Sequence, residues 1–387
     1  MRIAIINRAD TSNVRTLSGF PYFMAAALEK HVGEVEHLSP DVSRCTWLME
    51  KCGRGLSRAS FMLTRRRLHG DMHRFLAWRT AQVFGPRLQR AHFDVIYAPV
   101  ASIEIAGLST DIPIIYCTDQ NWADMVDYYP NTSSLWGFAQ KEADRIESEA
   151  LQRASAVLYP SNWAADTAST HYGISEDKIH VIPWGVNFTS DSLPTAEIAC
   201  HHPCGDEIVL LWVGVEWERK GGPIAHACLM SLLEKGVAAR LVICGCSPPR
   251  QFFHPQITVI PFLDKKVPEQ RARFSRLFLE AHFFVFPTQA EAYGLVLCEA
   301  SAHGLPSLAR QTGGTVGAIK NGENGYLLAS EATGKDYAER ILAILQTPQQ
   351  YEELVRSSRR LFEAQLNWDA WGKAVKPILE AAASQKQ

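Results

Sequence analysis

Short apolar runs alternate with amphipathic stretches along this chain, and near residue 190 the alternation stops and begins again. A parallel strand covered by helices on both faces reads as a continuous apolar run rather than as strict alternation. Runs of that kind predict strands at Arg2–Asn7, Val35–Leu38, Val95–Ala98, Ile112–Cys117, Ala156–Pro160 and His180–Ile182, with helices at Tyr22–His31 and Phe138–Arg153 between them. From Asn187 to Pro203 the composition shifts to Ser, Asp, Pro, Thr and His. Strands then resume at Glu207–Val213, Ala239–Cys244, Ile257–Pro261, Phe283–Pro287 and Pro306–Ala309. The expectation is an α/β chain of two doubly wound, Rossmann-like domains, residues 1–190 and 191–365. The helical tail, 366–387, is expected to pack back on the first domain, with Trp368 and Trp371 as packing anchors. Sheets of this kind bind ligands beyond the carboxyl ends of their strands, so two of them facing each other predict an interdomain cleft.

The 387 residues are 47% hydrophobic and 21% charged, enough apolar material for two cores. A net charge of −2 speaks against bulk nucleic-acid binding. No apolar run approaches the roughly 20 residues that span a bilayer. The opening MRIAIINRAD reads as a buried first strand rather than a leader. With nine scattered cysteines, this points to free thiols in a reducing cytoplasm. Cys200, His201, His202 and Cys204 have the look of half a zinc site, but no second ligand pair follows and Pro203 stiffens the loop. A connecting loop is expected there, and no metal or cofactor.

Chemistry concentrates in three segments of the second half. In FFVFPTQAEAYGLVLCEASAHGLPSL a buried strand ends at Pro287, and a polar turn carries Glu291, Tyr293 and Gly294. A helix then starts at about Leu295 and holds Glu299. Its first turn presents unpaired N–H groups to an anion, and Gly294 lets the backbone approach a ligand closely. Glu291 and Glu299 can then face one ligand, although a Glu-x7-Glu pair elsewhere would read as solvated charge. In LLWVGVEWERKGG a strand ends at Gly214 and the loop carries Arg219 and Lys220, which suits a diphosphate or an ordinary surface turn. QTGGTVGAIKNGENGYLL marks tight turns that either face a ligand or connect elements.

Together these segments resemble the retaining GT-B glycosyltransferases of family 4, most strongly from Ile208 to Leu328. YPSNWAADTASTHYGI and KIHVIPWGVN resemble the end of that family's N-terminal domain, and RTLSGFPYFMAAALE resembles its first glycine loop. The resemblance implies a sugar moved from a nucleotide-diphosphate donor, UDP-linked first and GDP-linked next, to a saccharide, lipid-linked or small-molecule acceptor. It implies retention of anomeric configuration and a setting such as polysaccharide assembly. Glu291 would meet the donor sugar, Glu299 the ribose and Lys220 the pyrophosphate. Gly294 and Leu295 would offer backbone donors, with Gly214 and Tyr293 beside them, and Gly19 would face the donor phosphate. Two departures stand out. Val215 occupies the usual Arg position, which leaves Arg219 to supply a guanidinium, and CTDQNW puts Asp119 where many relatives carry His. There is no Asp-x-Asp, so basic side chains and a helix start are expected to take the place of a metal.

From Arg44 to His92 eleven Lys or Arg stand against two acids, with Trp, Phe, Leu and Met interleaved. Residues 44–92 are therefore expected to meet an anionic membrane or a phosphorylated acceptor, or else to form a solvated helix pair. Two other readings stay open for the whole chain. One is a non-hydrolysing sugar-nucleotide epimerase of the same shape, which needs no acceptor; the other is a silent nucleotide-sugar-binding scaffold.

Overall fold

The computed structural model describes residues 1–38, 44–68, 72–201 and 207–384, the side chains of 44–50 and Ser190 excepted. His202 and Cys204 of the cysteine–histidine cluster lie outside the described residues, as do Asp71 and the side chains of Arg44 and Trp47. Among the described residues no three His, Cys, Asp or Glu side chains form a group that could hold a metal ion. Nor is any helix among them long and apolar enough to cross a membrane.

The chain divides into two compact units, Met1–Ile182 with Trp371–Gln387, and Pro183–Ala370. The first holds a six-stranded parallel sheet in the order β2-β1-β3-β4-β5-β6. Its strands are β1 (Arg2–Ile5), β2 (Glu34–His37), β3 (Val95–Pro99), β4 (Ile114–Cys117), β5 (Ala156–Tyr159) and β6 (Ile179–Val181). The second holds another, in the order β12-β11-β10-β7-β8-β9. These are β7 (Ile208–Val213), β8 (Ala239–Cys244), β9 (Ile257–Ile260), β10 (Phe283–Phe286), β11 (Ser307–Arg310) and β12 (Gly325–Leu328).

Burial follows position in the sheet. Every residue of β3, β4, β5 and β10 is buried, whereas the edge strands β2, β6 and β9 are half-buried or exposed along most of their length. Helices on both faces make the central strands apolar throughout, which is why they were legible as unbroken runs. β12 was not expected. Its two middle residues are half-buried at the sheet edge, and the Asn324-Gly325 turn signal overlaps its start. The units divide at Ile182, ahead of residue 190, because Trp184 and Phe188 pack within the second unit, Phe188 against Phe274 and His303. The tail is three helices, Gly334–Leu345, Pro348–Ala364 and Trp368–Ser384. Both tryptophans of the last are buried anchors: Trp368 packs against Trp184 in the second unit, and Trp371 lies edge-on to Tyr97 in the first, ring centroids 6.0 Å apart.

One buried acid in the first unit carries a cost that depends on pH. Glu147, on the Gly137–Arg153 helix, is 3% exposed, and the Tyr116 hydroxyl donates to its Oε1 at 3.0 Å. Burial pushes its carboxyl up to about 7 from an ordinary 4.5. The folded chain therefore holds a proton that the unfolded chain releases, so this site's contribution is fully present below about pH 4.5 and is lost as pH rises through about 7. Glu147→Gln removes the titration. Its melting temperature should fall less than that of the parent between about pH 5 and 8, as followed by calorimetry; parallel curves would contradict the assignment.

Candidate active site

A parallel sheet whose strand order reverses opens a crevice at the reversal, because the loops leaving the two adjacent strands turn to opposite faces. In the second sheet the reversal falls between β7 and β10, and their loops are joined there. The Gln289 N–H donates to the Arg219 carbonyl at 2.8 Å, and the Thr288 hydroxyl donates to the same oxygen at 3.3 Å. The approach is close enough to require glycine. Gly221 sits at φ +74, and a Cβ there would stand 1.9 Å from the Pro287 carbonyl oxygen. The third segment joins the same cluster: the Gly314 N–H donates to the Glu291 carbonyl at 3.0 Å, and a Cβ on Gly314 would stand 1.7 Å from the Ala292 carbonyl oxygen. All three segments singled out in the sequence therefore meet beyond the carboxyl ends of the two central strands.

Two ion pairs occupy this region. The Lys220 ammonium hydrogen-bonds the Glu291 carboxylate, and both side chains are about six-sevenths buried, at 15% and 14% exposure. The ammonium also lies 5.0 Å from the centroid of the Phe286 ring. Glu291 is in the turn ahead of Gly294, which caps the Leu295–Ala302 helix at φ +91. On that helix Glu299 is almost wholly buried, and Lys265, beyond β9, hydrogen-bonds its carboxylate. The Lys265 ammonium lies 5.2 Å from the Phe188 ring and 5.5 Å from the Phe274 ring. An aromatic face attracts a cation, so Lys265 is held by two rings and one carboxylate. His303 fixes the far end of the helix, its Nδ1 at 2.7 Å from the Glu299 carbonyl oxygen and its Nε2 at 2.7 Å from the Ser275 hydroxyl.

The other expected residues are placed as follows. Gly214 ends β7 beneath the Trp212 ring. Arg219 is engaged by protein: its guanidinium pairs with Glu216 and donates to the Ala290 carbonyl at 2.7 Å, while Val215 is 60% exposed. The Tyr293 ring is buried, and its hydroxyl donates to the Trp184 carbonyl at 3.2 Å. Gly19 and Asp119 belong to the first unit, whose own order reverses between β1 and β3. Gly19, at φ +91, caps the Phe20–His31 helix, and Leu17 and Ser18 before it are also left-handed, at φ +47 and +58. Three such residues in succession, two of them non-glycine, hold a strained loop of the kind found at ligand sites. Asp119 is half-buried just beyond β4.

Sequence reasoning missed Lys265, Asn7, Arg8 and Glu104. Asn7 donates to the Pro99 carbonyl at 2.7 Å, and the Arg8 backbone N–H and Nε donate to the buried Glu104 carboxylate at 2.8 and 2.9 Å. These contacts join the loops at the first sheet's reversal. Each pair is distant in sequence and lacks a local motif. Only an acid placed one turn into an apolar stretch, as in SIEIA, hinted that Glu104 needed a partner.

Two family models match the chain: Glycosyl transferases group 1 over residues 204–361 and Glycosyltransferase Family 4 over residues 24–190. D-inositol 3-phosphate glycosyltransferase of Nocardiopsis dassonvillei is 27% identical over 219 residues, 53% of this chain and 51% of the relative. The chain spans about half the length of the curated relatives it matches. Sucrose-phosphate synthase of Thermosynechococcus elongatus superposes with a TM-score of 0.65 at 17% identity, covering 99% of each chain. HepE of Anabaena in complex with UDP gives 0.60 at 15% identity, over 98% of this chain and 100% of that one.

Glu299 needs its cation whatever the site binds. Lys265→Met leaves a buried carboxylate without its partner. Because the Lys265 side chain is 36% exposed, the expected loss of unfolding free energy is on the order of 1–3 kcal/mol, less than for a fully buried pair. Lys265→Met with Glu299→Gln should recover most of it. Urea unfolding checks both, and a double variant no more stable than the single one would refute the pairing argument.

Proposed function

The chain belongs to the glycosyltransferases of group 1 and family 4, with the two-sheet GT-B fold, and from that premise we propose that it moves a sugar from a nucleotide-diphosphate donor with retention of configuration and without a metal. The observation that carries this reading is the Lys220–Glu291 pair at the reversal of the second sheet, beside the start of the Leu295–Ala302 helix. A largely buried ammonium next to a helix N-terminus suits a diphosphate, whose leaving charge must be met as the sugar–phosphate bond breaks. Glu291, one hydrogen bond away, suits the donor sugar's hydroxyls, which can replace Lys220 as donors to the carboxylate. Glu299 suits the two ribose hydroxyls. UDP is the favoured nucleotide, since HepE was solved with it, and GDP is next.

In the proposed step the bond between the anomeric carbon and the β-phosphate oxygen breaks, and its electron pair stays on the phosphate. Lys220 and the backbone N–H groups of Gly294 and Leu295 stabilise that charge. The acceptor hydroxyl attacks on the same face, and its proton passes to a leaving phosphate oxygen, so configuration is retained. Glu291 orients the sugar and forms no covalent bond. Arg219 serves this site by position. Paired with Glu216 and bonded to the Ala290 carbonyl, it holds the loop that carries Lys220 against the turn that carries Glu291. Tyr293 likewise acts through the backbone it anchors. Gly19 and Asp119, in the first unit, are given no step in this scheme, and the acceptor is a saccharide, a lipid-linked molecule or a small molecule.

Thermal unfolding with UDP, GDP, ADP or no nucleotide, in chelator, tests the donor site. Ligand at about 100 times its dissociation constant adds roughly 2.7 kcal/mol to the native state. A shift with UDP that disappears in Lys220→Ala is expected, together with a loss of turnover of about 10²- to 10³-fold in that variant. Product NMR then reads the anomer. Inversion would overturn the retaining assignment, and isomerisation of the nucleotide sugar without acceptor would favour the epimerase.

A further inference from the structure

The Arg44–Thr64 helix in the first unit turns three different faces outward and inward. At 3.6 residues per turn, Gly53, Ser57, Ser60 and Phe61 share one side, and these are the half-buried positions from Lys51 onward. That side is fastened. The Ser57 hydroxyl donates to the Leu68 carbonyl, the Trp136 indole donates to the Ser60 hydroxyl at 3.0 Å, and the Arg67 guanidinium stacks on Phe61 at 4.1 Å. The rest of the helix is exposed, and it is sorted by chemistry. Lys51, Arg54 and Arg58, spaced three and four apart, form a basic stripe. Leu56 and Leu63, spaced seven apart and 62% and 85% exposed, lie on the opposite flank of the exposed half, with Met62, 79% exposed, between them and the basic stripe.

The patch continues past the helix. Arg65 and Arg66 follow it, both exposed, with the Arg66 guanidinium 5.3 Å from the Trp136 ring. Trp136 stacks on Phe138, which is 62% exposed at the start of the Gly137–Arg153 helix. One turn along that helix Glu142 accepts a hydrogen bond from the Arg74 N–H at 3.1 Å, which brings in Phe75 and Trp78, 56% and 54% exposed with ring centroids 5.6 Å apart. From Lys51 to Leu68 and from Met72 to His92 the sequence has no Asp or Glu.

We propose that this surface docks the protein on an anionic lipid bilayer, with the Arg44–Thr64 helix lying along the headgroups. Two observations single out that occupant. Leu56, Met62, Leu63, Phe75 and Trp78 lie in stretches whose only charges are cations, which matches a surface carrying negative headgroups over an apolar interior. The exposed apolar side chains also include the Phe75–Trp78 pair, whose Trp is of the amphipathic kind that settles at a membrane–water boundary, and Phe138 stacked on the half-buried Trp136. Leu63 and Met62, at about four-fifths exposure, sit on the same outward half of the helix as the basic stripe. The inference stands on this surface and does not depend on which sugar or acceptor the site uses.

Flotation of the full chain with phosphatidylcholine vesicles, with and without phosphatidylglycerol, tests it. The protein should float with the anionic vesicles and stay behind with the neutral ones. Binding should weaken as salt shortens the Debye length from about 10 Å at 0.1 M to about 3 Å at 1 M. Leu56→Glu with Leu63→Glu should lower the bound fraction at least about tenfold, and Arg54→Gln with Arg58→Gln should lower it with anionic lipid only. The same variants should keep the parent's thermal melting and its UDP-induced shift, which separates lost docking from lost folding. Equal flotation with both vesicle types, or none with either, would overturn the proposal. So would a concentration-dependent dimer in sedimentation that the leucine variants abolish, since a second copy would then be the occupant.

Discussion

The second unit depends on holding a cation and a carboxylate together at the point where its sheet changes direction. Lys220 arrives from β7 and Glu291 from β10, two strands that are neighbours in the sheet and about seventy residues apart in the chain. Bringing two charges largely out of water is costly, and their attraction offsets that cost only when the geometry is fixed. The surrounding structure fixes it. Gly221 lies against the Pro287 carbonyl, Gln289 and Thr288 bond the Arg219 carbonyl, and Gly314 bonds Glu291 through its backbone. A side chain at Gly221 or Gly314 would force these loops apart and separate the pair. The close backbone packing and the ion pair therefore specify each other.

The first unit reaches a related solution by other means. Its sheet reverses between β1 and β3, and there Arg8 and the buried Glu104 join the two loops, with Asn7 capping the Pro99 carbonyl. The difference lies in exposure and in neighbours. Glu104 is buried, and its Oε1 accepts from both the Arg8 backbone N–H and Nε, so this pair reads as a fastening. Lys220 and Glu291 meet beside a helix start, and both keep about a seventh of their side-chain surface exposed. A pair of that kind can exchange partners with an incoming diphosphate and its sugar, which is why the proposed chemistry is assigned to the second unit.

How far this was legible in the sequence follows from how local each signal is. Central strands could be read because burial on both faces forces an unbroken apolar run, as in FFVF and AVLY. The strand-end glycines and the start of the Leu295–Ala302 helix could be read because turn and cap chemistry acts over a few residues. β12 was missed because an edge strand needs only partial apolarity and its first residue doubles as a turn glycine. Lys265 was missed for a different reason. It lies 34 positions from Glu299, in a polar stretch with no period, and only folding reveals that a buried acid on one element requires a cation from another. The same holds for Arg219. Its sequence context suggested a phosphate ligand, whereas Glu216 and the Ala290 carbonyl engage its guanidinium.

Lys265 also bears on how Glu299 can work. A carboxylate this buried is costly unless it is paired and hydrogen-bonded. The ammonium above Phe188 and Phe274 meets it from one side. A carboxylate has about four acceptor positions, so one lysine leaves room for two hydroxyl donors. The rings hold the lysine where it serves the acid, and they lie on elements that also pack the core, Phe188 stacked on Phe274 and Phe274 against Phe278. The position of the pair is therefore set by core packing rather than by solvent.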